Sequence, residues 1–248
     1  MLETSMSPKL SLVIPTFNEG ENLPVLVRRI HRVLSPRLEY ELIVVDDNSP
    51  DGTGELAERL SKEYPIKVIH RSERRGLASA VVDGFDVADG KILGVIDADL
   101  QHPPRKIPLL LEEAENGADL VIGSRHTRGG RIGRWPLSRK IMSRGARFLA
   151  GILVPKAKII KDPLSGFFLL KREVIEDADL NPEGYKILLE ILGKGKYEKV
   201  VEVPYTFADR KRGRSKLGFR ENIAYFRHLL QLARSSKIEE MSKGAGSK

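Results

Sequence analysis

The segment from Asp97 to Gln101 brings three oxygen-bearing side chains together directly after the apolar run ILGVI. Asp97 and Asp99 are separated by one residue, and the amide of Gln101 follows two positions later. Carboxylate and amide oxygens are hard ligands that suit Mg²⁺ or Mn²⁺ better than zinc. Because Mg²⁺ in proteins usually takes one or two carboxylates and completes its shell with substrate phosphates, the segment predicts a cation shared with a diphosphate. A lone Asp-x-Asp is as often a loop that caps the next helix.

The elements that must position this segment form a repeating pattern. Apolar runs predict five strands, which are KLSLVIP, YELIVVD, IKVIH, KILGVID and ADLVIGS. Residues at helical spacing follow the strands, and in the first helix these are Leu23, Leu26, Val27, Ile30 and Leu34. The alternation predicts an α/β, Rossmann-like fold, in which a mostly parallel central sheet carries helices on both faces. Further on, DPLSGFFLLKREV predicts a loop and a short strand, and KVVEVPYTF predicts one more strand.

Polar pairs follow three of the predicted strands: Asn18-Glu19, Asp46-Asp47 and Asp97-Asp99. In open parallel sheets, ligands bind beyond the carboxyl ends of the strands, so we expect these side chains to share one edge. No G-x-G-x-x-G follows the first strand, and no G-x-x-x-x-G-K-[ST] occurs in the chain. A nucleotide bound at this edge would therefore depend on a metal and on arginines in place of a glycine-rich cradle.

Composition limits the chemistry further. The 248 residues suit one large α/β domain, and the lack of cysteine excludes disulfides, thiolate metal sites and a cysteine nucleophile. A net charge of +8 predicts an anionic partner, which can be a nucleic acid, a phosphorylated substrate or an acidic lipid surface. We find neither a signal peptide nor an apolar run approaching the ~18 residues that span a bilayer. The expectation is a soluble or peripheral protein exposed to the cytosol.

Six motifs together resemble one family. In order they are VIPTFNEGENL, VVDDNSPDGT, DADLQHPP, GSR, DPLSGFF and RGRSKL. Over about residues 9–230 the chain resembles the family 2 glycosyltransferases and, within them, the dolichyl- and polyprenyl-phosphate mannosyltransferases. The resemblance implies the GT-A fold and a divalent cation, Mg²⁺ or Mn²⁺. It also implies inverting transfer of mannose from GDP-mannose to dolichyl or polyprenyl phosphate, which gives polyprenyl β-D-mannosyl phosphate and GDP.

The resemblance also implies which residues bind the donor, and Asp99 and Gln101 match the metal ligands of the family. The implied donor-binding set is Pro15, Phe17, Glu19, Val45, Asp47, Asp97, Ala98, Asp99, Gln101, Arg125, Arg210 and Lys216. Phe17 stands where the family usually has tyrosine, so it keeps the ring without the hydroxyl. His102 is as easily a turn residue as a metal ligand, because two prolines follow it, and it is left out of the predicted ligand set.

A basic stretch is expected to receive the acceptor. From Leu120 to Lys161 there is no acidic residue, but there are eleven lysines and arginines. A helix at about 137–154 interleaves apolar and basic residues, which is typical of a membrane-surface helix or of an ordinary surface helix with long side chains. By resemblance, Arg125, Arg139 and Ser143 hold the acceptor phosphate, and Arg139 and Ser143 share one helix face.

The same residues suggest a mechanism. A phosphomonoester has a second pKa of ~6 and is already a nucleophile at neutral pH, so no general base is required. Catalysis then consists of charge stabilisation by the cation and arginines, and we assign catalytic roles to Asp99, Arg125, Arg139 and Ser143. Arg210 and Lys216 match a loop that closes over both substrates. Asp162 is expected to cap a turn, with orientation of the sugar as the alternative.

The predicted organisation is a flexible segment 1–8, a catalytic domain 9–235 and a flexible tail 236–248. A second amphipathic helix is predicted at about 218–235. Membrane access at the cytoplasmic face is expected through this helix, the basic helix at about 137–154, or a separate anchoring subunit.

Three alternatives remain open at this point. The first keeps the reaction but uses another nucleotide sugar, such as UDP-glucose. The second is a basic nucleic-acid-binding module, although the chain lacks the interleaved aromatic residues of such modules and the acidic edge would be unexplained. The third is an inactive scaffold, which the intact DADLQ segment disfavours.

Overall fold

The computed structural model describes residues 9–73, 76–133, 135–182, 184–208 and 227–232. In chain order the elements are β1 Leu10–Thr16, α1 Leu23–Leu34, β2 Tyr40–Asp46, α2 Thr53–Leu60, β3 Ile66–His70, α3 Leu77–Asp86, β4 Ile92–Val95, α4 Ile107–Glu115, β5 Leu120–Ser124, β6 Arg131–Ile132, α5 Leu137–Leu153, β7 Phe168–Lys171, α6 Ile187–Lys194, β8 Val200–Pro204 and β9 Thr206–Phe207. Short 3₁₀ turns span Pro104–Lys106, Pro155–Ile159 and Arg172–Val174. Of the predicted helix at 218–235, only the helical segment 227–232 is described. The predicted flexible segment 1–8 and tail 236–248 lie outside the described residues, as do Arg210 and Lys216.

The central sheet has seven strands in the order β3-β2-β1-β4-β7-β5-β8. Strand β7 runs antiparallel to both neighbours, whereas the other neighbouring strands are parallel. Strands β1, β2, β4 and β5 are buried along their whole length, which explains their unbroken apolar sequences. The predicted mostly parallel α/β architecture is therefore confirmed.

Two apolar cores cover the two faces of this sheet. Alternate residues of a strand point to opposite faces, so Leu12 and Val13 of β1 belong to different cores. One core packs against α1, α2 and α4, and the other packs against α3, α5, α6 and segment 227–232. The apolar stripe predicted for α1 is confirmed, because all its members are buried: Leu23, Leu26, Val27, Ile30 and Leu34.

The run KVVEVPYTF was predicted as one strand, and the structure divides it. Strand β8 ends at Pro204, and Tyr205, whose N–H still donates to the carbonyl of Ser124 at 3.1 Å, separates it from β9. Strand β9 then leaves the main sheet and pairs in parallel with β6. This departure carries the chain back towards the loop that follows β4, where Ala208 donates to the carbonyl oxygen of Gln101 at 3.1 Å.

Helix α5 has an unusual outer surface. Besides Met142, four of its apolar side chains are more than half exposed: Leu137, Ile141, Phe148 and Ile152. Their spacing of four, seven and four residues places them on one side of the helix. Among the residues that the structure describes, no helix combines the length and apolarity needed to cross a bilayer.

Gly94 in the middle of β4 provides a test of the packing of this sheet. A Cβ at this position would lie 2.4 Å from Cδ2 of Leu169 and 2.9 Å from Cδ1 of Leu12. We expect Gly94→Ala to lower the free energy of unfolding by about 1–3 kcal/mol through overpacking. The control is Gly145→Ala on exposed α5, where a Cβ meets no atom within 4 Å and should stabilise the helix by up to ~1 kcal/mol. Urea denaturation measures both, and equal effects would contradict the packing described.

Candidate functional site

The loops after β1 and β2 are joined at the carboxyl edge of the sheet. Backbone N–H groups of the first loop donate to side chains of the second: Asn18 to Ser49 at 2.9 Å, Glu19 to Thr53 at 3.0 Å and Gly20 to Asp51 at 3.2 Å. Pro15 and Val45 are in register on the adjacent strands, and Phe17 is half-buried just beyond. The carboxylate of Glu19 is buried and accepts a 2.7 Å hydrogen bond from Asn22. Four residues predicted to bind the donor are thus brought together: Pro15, Phe17, Glu19 and Val45.

The two acids that end β2 have different surroundings. Asp46 accepts hydrogen bonds from the hydroxyls of Thr16 at 2.9 Å and Ser49 at 2.6 Å, so it supports the loops. Asp47 instead meets Nη1 of buried Arg71 at 2.9 Å and accepts the N–H of Gly76 at 2.9 Å. Arg71 therefore fixes the orientation of the Asp47 carboxylate. Sequence reasoning missed Arg71, because nothing local distinguishes it from the other basic residues of RSERRG.

Backbone strain is concentrated at this edge. Among the described residues, the non-glycine positions with left-handed φ are Asn18 at 52°, Asn48 at 59° and Leu100 at 62°. Each follows a different strand of the central sheet. Asparagine tolerates this conformation, but leucine rarely adopts it, and such residues cluster at functional sites. Leu100 turns the chain between Asp99 and Gln101, so that the N–H of Gln101 donates to Asp99 at 3.1 Å.

The donors after β4 fit a hard divalent cation. Asp99 and Gln101 are buried, and the amide nitrogen of Gln101 donates to the carbonyl of Ala208 at 2.8 Å. This bond orients the amide so that its oxygen is the atom a cation would meet. Within the described residues, no three His, Cys, Asp or Glu side chains converge as a metal-binding group. Two protein oxygens would leave most positions of an octahedral Mg²⁺ shell to phosphate and water.

Asp97 lies against the segment that precedes β7. A Cβ on Gly166 would lie 2.6 Å from Oδ2 of Asp97, so a side chain at this position would displace the Asp97 carboxylate. Ala98, which follows Asp97, is buried. On the other side, Nδ1 of His102 accepts the N–H of Asp97 at 3.4 Å, and the ring stacks on Phe167 with centroids 5.5 Å apart. Burial lowers the pKa of His102 to about 4, so the ring is neutral.

Arg125 and Asp162 form a buried, two-pronged ion pair. Nε and Nη2 of Arg125 donate to the carboxylate at 2.8 and 2.7 Å, and the Arg125 N–H also donates to it at 2.8 Å. Burial alone would raise the pKa of Asp162, but the hydrogen bonds and charge of Arg125 hold it below its usual range. Because Nε and Nη2 are bound to Asp162, an anion that binds to Arg125 would contact Nη1. The two roles expected for Asp162, turn capping and orientation of the sugar, did not include this ion pair with Arg125.

Lys186 is a further charged group that sequence reasoning missed. It is half-buried at the start of α6, and its Nζ donates to the carbonyl of Leu164 at 2.9 Å. Desolvation lowers its pKa to about 8, and the positive charge of Arg125 acts in the same direction, while Asp97 opposes it. The charge of Arg139 also lowers this pKa. A lysine just before the apolar run ILLEIL was the only signal in the sequence.

The inner side of α5 carries the predicted acceptor residues. Arg139 and Ser143 are both half-buried, on the side of the helix away from the exposed apolar stripe. The guanidinium carbon of Arg139 lies 4.2 Å from the ring centroid of Trp135. Arg139, Arg125 and Lys186 therefore form one positively charged wall. The roles assigned to these residues, and to the donor-binding set, stay predictions.

Residues 11–178 match the family described as Glycosyl transferase family 2. The dolichol-phosphate mannosyltransferase of Pyrococcus furiosus is 54% identical over 224 residues, which cover 90% of this chain and 63% of that protein. The dolichol-phosphate mannosyltransferase of Saccharomyces cerevisiae is 38% identical, with 92% of this chain and 88% of that protein covered. The polyprenol monophosphomannose synthase of Mycolicibacterium smegmatis is also 38% identical, with 83% and 80% covered. This chain spans less than two thirds of the Pyrococcus furiosus protein.

A similar fold occurs in a solved structure. Glucosyl-3-phosphoglycerate synthase of Mycobacterium tuberculosis, in complex with Mn²⁺ and UDP, gives a TM-score of 0.70 over 92% of this chain and 80% of that chain. The two sequences are 22% identical, so the likeness is one of fold. This structural similarity agrees with the strand order of the central sheet. The predicted GT-A fold is therefore confirmed.

The Arg125–Asp162 pair can be tested through stability. We expect Asp162→Asn to lower the free energy of unfolding at neutral pH by about 3–5 kcal/mol, because it leaves a buried guanidinium without its counter-charge. The control is Glu58→Gln, which removes the exposed pair with His70 and should cost less than ~1 kcal/mol.

The same variant gives a pH test. The pKa of Asp162 is lowered in the fold, so its stabilisation exists above the pKa of the unfolded chain and disappears as the pH falls through the folded value. Chemical denaturation in acid should therefore show a smaller difference between wild type and Asp162→Asn. A difference that grows in acid would contradict the pair.

Proposed function

Because this chain belongs to glycosyl transferase family 2, we propose that it transfers mannose from GDP-mannose to a dolichyl or polyprenyl phosphate. The membership confirms the resemblance drawn from the six motifs. Support for the substrates comes from the relatives named dolichol-phosphate mannosyltransferase and polyprenol monophosphomannose synthase. The observation that carries the proposal is the meeting of an oxygen-rich loop, Asp97 to Gln101, with a wall of half-buried positive charge.

The donor is assigned to the loops after β1, β2 and β4. Asp47, held by Arg71, would orient the nucleoside, and Asp97 would lie near the ribose and diphosphate. Asp99 and Gln101 would hold a divalent cation, which when bound neutralises charge on the diphosphate leaving group. The related fold from Mycobacterium tuberculosis has been solved with Mn²⁺ and with Mg²⁺, which supports a cation of this class.

The acceptor is assigned to the positive wall. A lipid phosphate is mostly a dianion at neutral pH, so one of its oxygens can attack the anomeric carbon without a general base. Arg139, Lys186 and Nη1 of Arg125 would hold this dianion and offset its repulsion by the diphosphate. Ser143 shares the helix face of Arg139 and would donate a hydrogen bond to the phosphate. Attack from the side opposite the diphosphate converts an α-linked donor into a β-linked product.

The lipid chain requires a path away from this wall. The exposed apolar stripe of α5 includes Ile141, Phe148 and Ile152, and exposed Lys140 and Arg144 lie beside it. An apolar stripe flanked by basic side chains suits the surface of an anionic membrane. We assign α5 to peripheral contact with the cytoplasmic face of the membrane, alone or with an anchoring subunit.

Transfer assays test the proposal directly. Purified protein is expected to release GDP from GDP-mannose only when a polyprenyl phosphate is present, and EDTA should abolish this release. Asp99→Ala should lower the rate roughly a hundredfold or more, since loss of even outer-shell partners of a metal costs about 10–100-fold. The control is Asp177→Ala, which removes only a surface pair with Lys196.

Three results would contradict the proposal. Consumption of UDP-glucose in place of GDP-mannose would assign a different donor to the same site. Salt-sensitive binding of RNA or DNA without sugar transfer would support a nucleic-acid-binding module. Normal transfer by Asp99→Ala would show that the cation is held elsewhere.

Lys186 gives the proposal a signature in the pH profile. With a pKa of about 8, Lys186 is charged below this pH and loses its charge as the pH rises, so kcat/KM for the lipid phosphate should fall above about 8. Lys186→Arg should retain activity and move this alkaline limb to higher pH, because arginine stays charged. Lys186→Met should be slow over the whole range. An alkaline limb that is unchanged in Lys186→Arg would assign it to another group.

A further inference from the structure

Trp135 is the only tryptophan of the chain, and it lies between two arginines of the positive wall. The guanidinium carbon of Arg139 is 4.2 Å from the ring centroid, and that of Arg125 is 5.9 Å away. Both distances are within the range of a cation–π interaction, for which the indole ring is the best partner among side chains. The ring therefore contacts both guanidinium groups assigned to the acceptor.

The indole is itself held in place from the opposite direction. Its ring meets that of Phe207 edge to face, with centroids 5.8 Å apart and an interplanar angle of 88°. The backbone N–H of Trp135 donates to the carbonyl of Gly133 at 2.8 Å, and the backbone N–H of Gly133 donates to the carbonyl of Phe207 at 3.1 Å. Pro136, directly after it, is the N-cap residue of α5 and has a fixed φ. Trp135 is thus attached to β9 on one side and to the start of α5 on the other.

Electrostatics explain why such a ring is useful here. Arg125, Arg139 and Lys186 repel one another, and the half-buried Arg139 could escape this repulsion by turning towards water. The negative face of an indole attracts a guanidinium without neutralising its charge. Stacking uses the flat face of the guanidinium, and its N–H groups at the edge point outward in the plane, which is the geometry that binds phosphate oxygens in pairs.

We propose that Trp135 is a positioning residue that holds the guanidinium of Arg139 in the orientation required by the lipid phosphate. The role presupposes the proposed acceptor, a phosphate monoester on an apolar chain. Its effect falls first on the acceptor, because Arg139, at 4.2 Å from the ring centroid, belongs to the acceptor set alone, whereas the more distant Arg125 belongs to both sets. Loss of the ring should therefore weaken acceptor binding selectively.

Kinetics of two variants distinguish positioning from a general structural role. Trp135→Leu removes the π face and is expected to raise KM for a polyprenyl phosphate about tenfold, in line with the strength of a partly buried cation–π contact. We expect KM for GDP-mannose to stay within about twofold of the wild-type value, because Arg139 is assigned to the acceptor alone. Trp135→Phe keeps an aromatic face and should recover most of the acceptor affinity. Equal increases in both KM values would overturn the positioning role, as would a Trp135→Leu enzyme with normal acceptor KM.

Fluorescence supplies a readout that does not depend on catalysis. Because Trp135 is the only tryptophan, its emission should change saturably on titration with farnesyl phosphate, and farnesol should leave it unchanged. Arg139→Gln should raise the farnesyl phosphate concentration that gives half of the fluorescence change about tenfold. A response identical in Arg139→Gln, or none in wild type, would overturn the role.

The two experiments also separate this role from the proposed function. A saturable fluorescence response without any sugar transfer would support Trp135 and Arg139 as a phosphate site while contradicting the mannosyltransferase assignment. Normal transfer with an unchanged acceptor KM in Trp135→Leu would contradict the role of Trp135 alone.

Discussion

A buried ion pair between Arg125 and Asp162 holds the two sides of the candidate site together. It attaches the end of β5 to the segment before β7, and that segment places Gly166 against Asp97 and offers the Leu164 carbonyl to a lysine of the positive wall. Burial makes the pair strong only because both charges are matched by hydrogen bonds. The consequence is a guanidinium with a fixed direction: Nε and Nη2 are occupied by the carboxylate, so Nη1 is the nitrogen that an anion would meet.

The acidic and basic parts of the site are joined by a second, weaker connection. Gln101 exchanges two hydrogen bonds with Ala208, one through its backbone and one through its side chain. The preceding residue, Phe207, packs on Trp135 and lies 5.2 Å from the guanidinium carbon of Arg125. A predicted metal ligand and the predicted acceptor side are therefore parts of one packed unit. In the proposed function, this arrangement would bring a cation and a lipid phosphate close together while keeping their binding groups on separate elements.

Much of the fold could be predicted from local patterns, because strands buried on both faces leave unbroken apolar runs and α1 leaves a helical stripe. The shared edge also followed, since parallel strands end on the same side. The break at Pro204, which sends β9 to β6, and the antiparallel insertion of β7 were not predicted, because they depend on pairing between distant segments. For the same reason Arg71, Lys186 and Trp135 were missed. Each gains its importance from a neighbour far away in sequence.

In the proposed function, oxygen atoms of Asp99 and Gln101 hold a divalent cation against the diphosphate of a sugar nucleotide. A crystal grown with Mn²⁺ and GDP tests this most directly, because manganese can be located by its anomalous scattering. The account predicts a single strong peak that contacts both side chains and the diphosphate at the carboxyl edge of the sheet. GDP bound with the manganese peak elsewhere, or an empty edge at saturating concentrations of both, would contradict it.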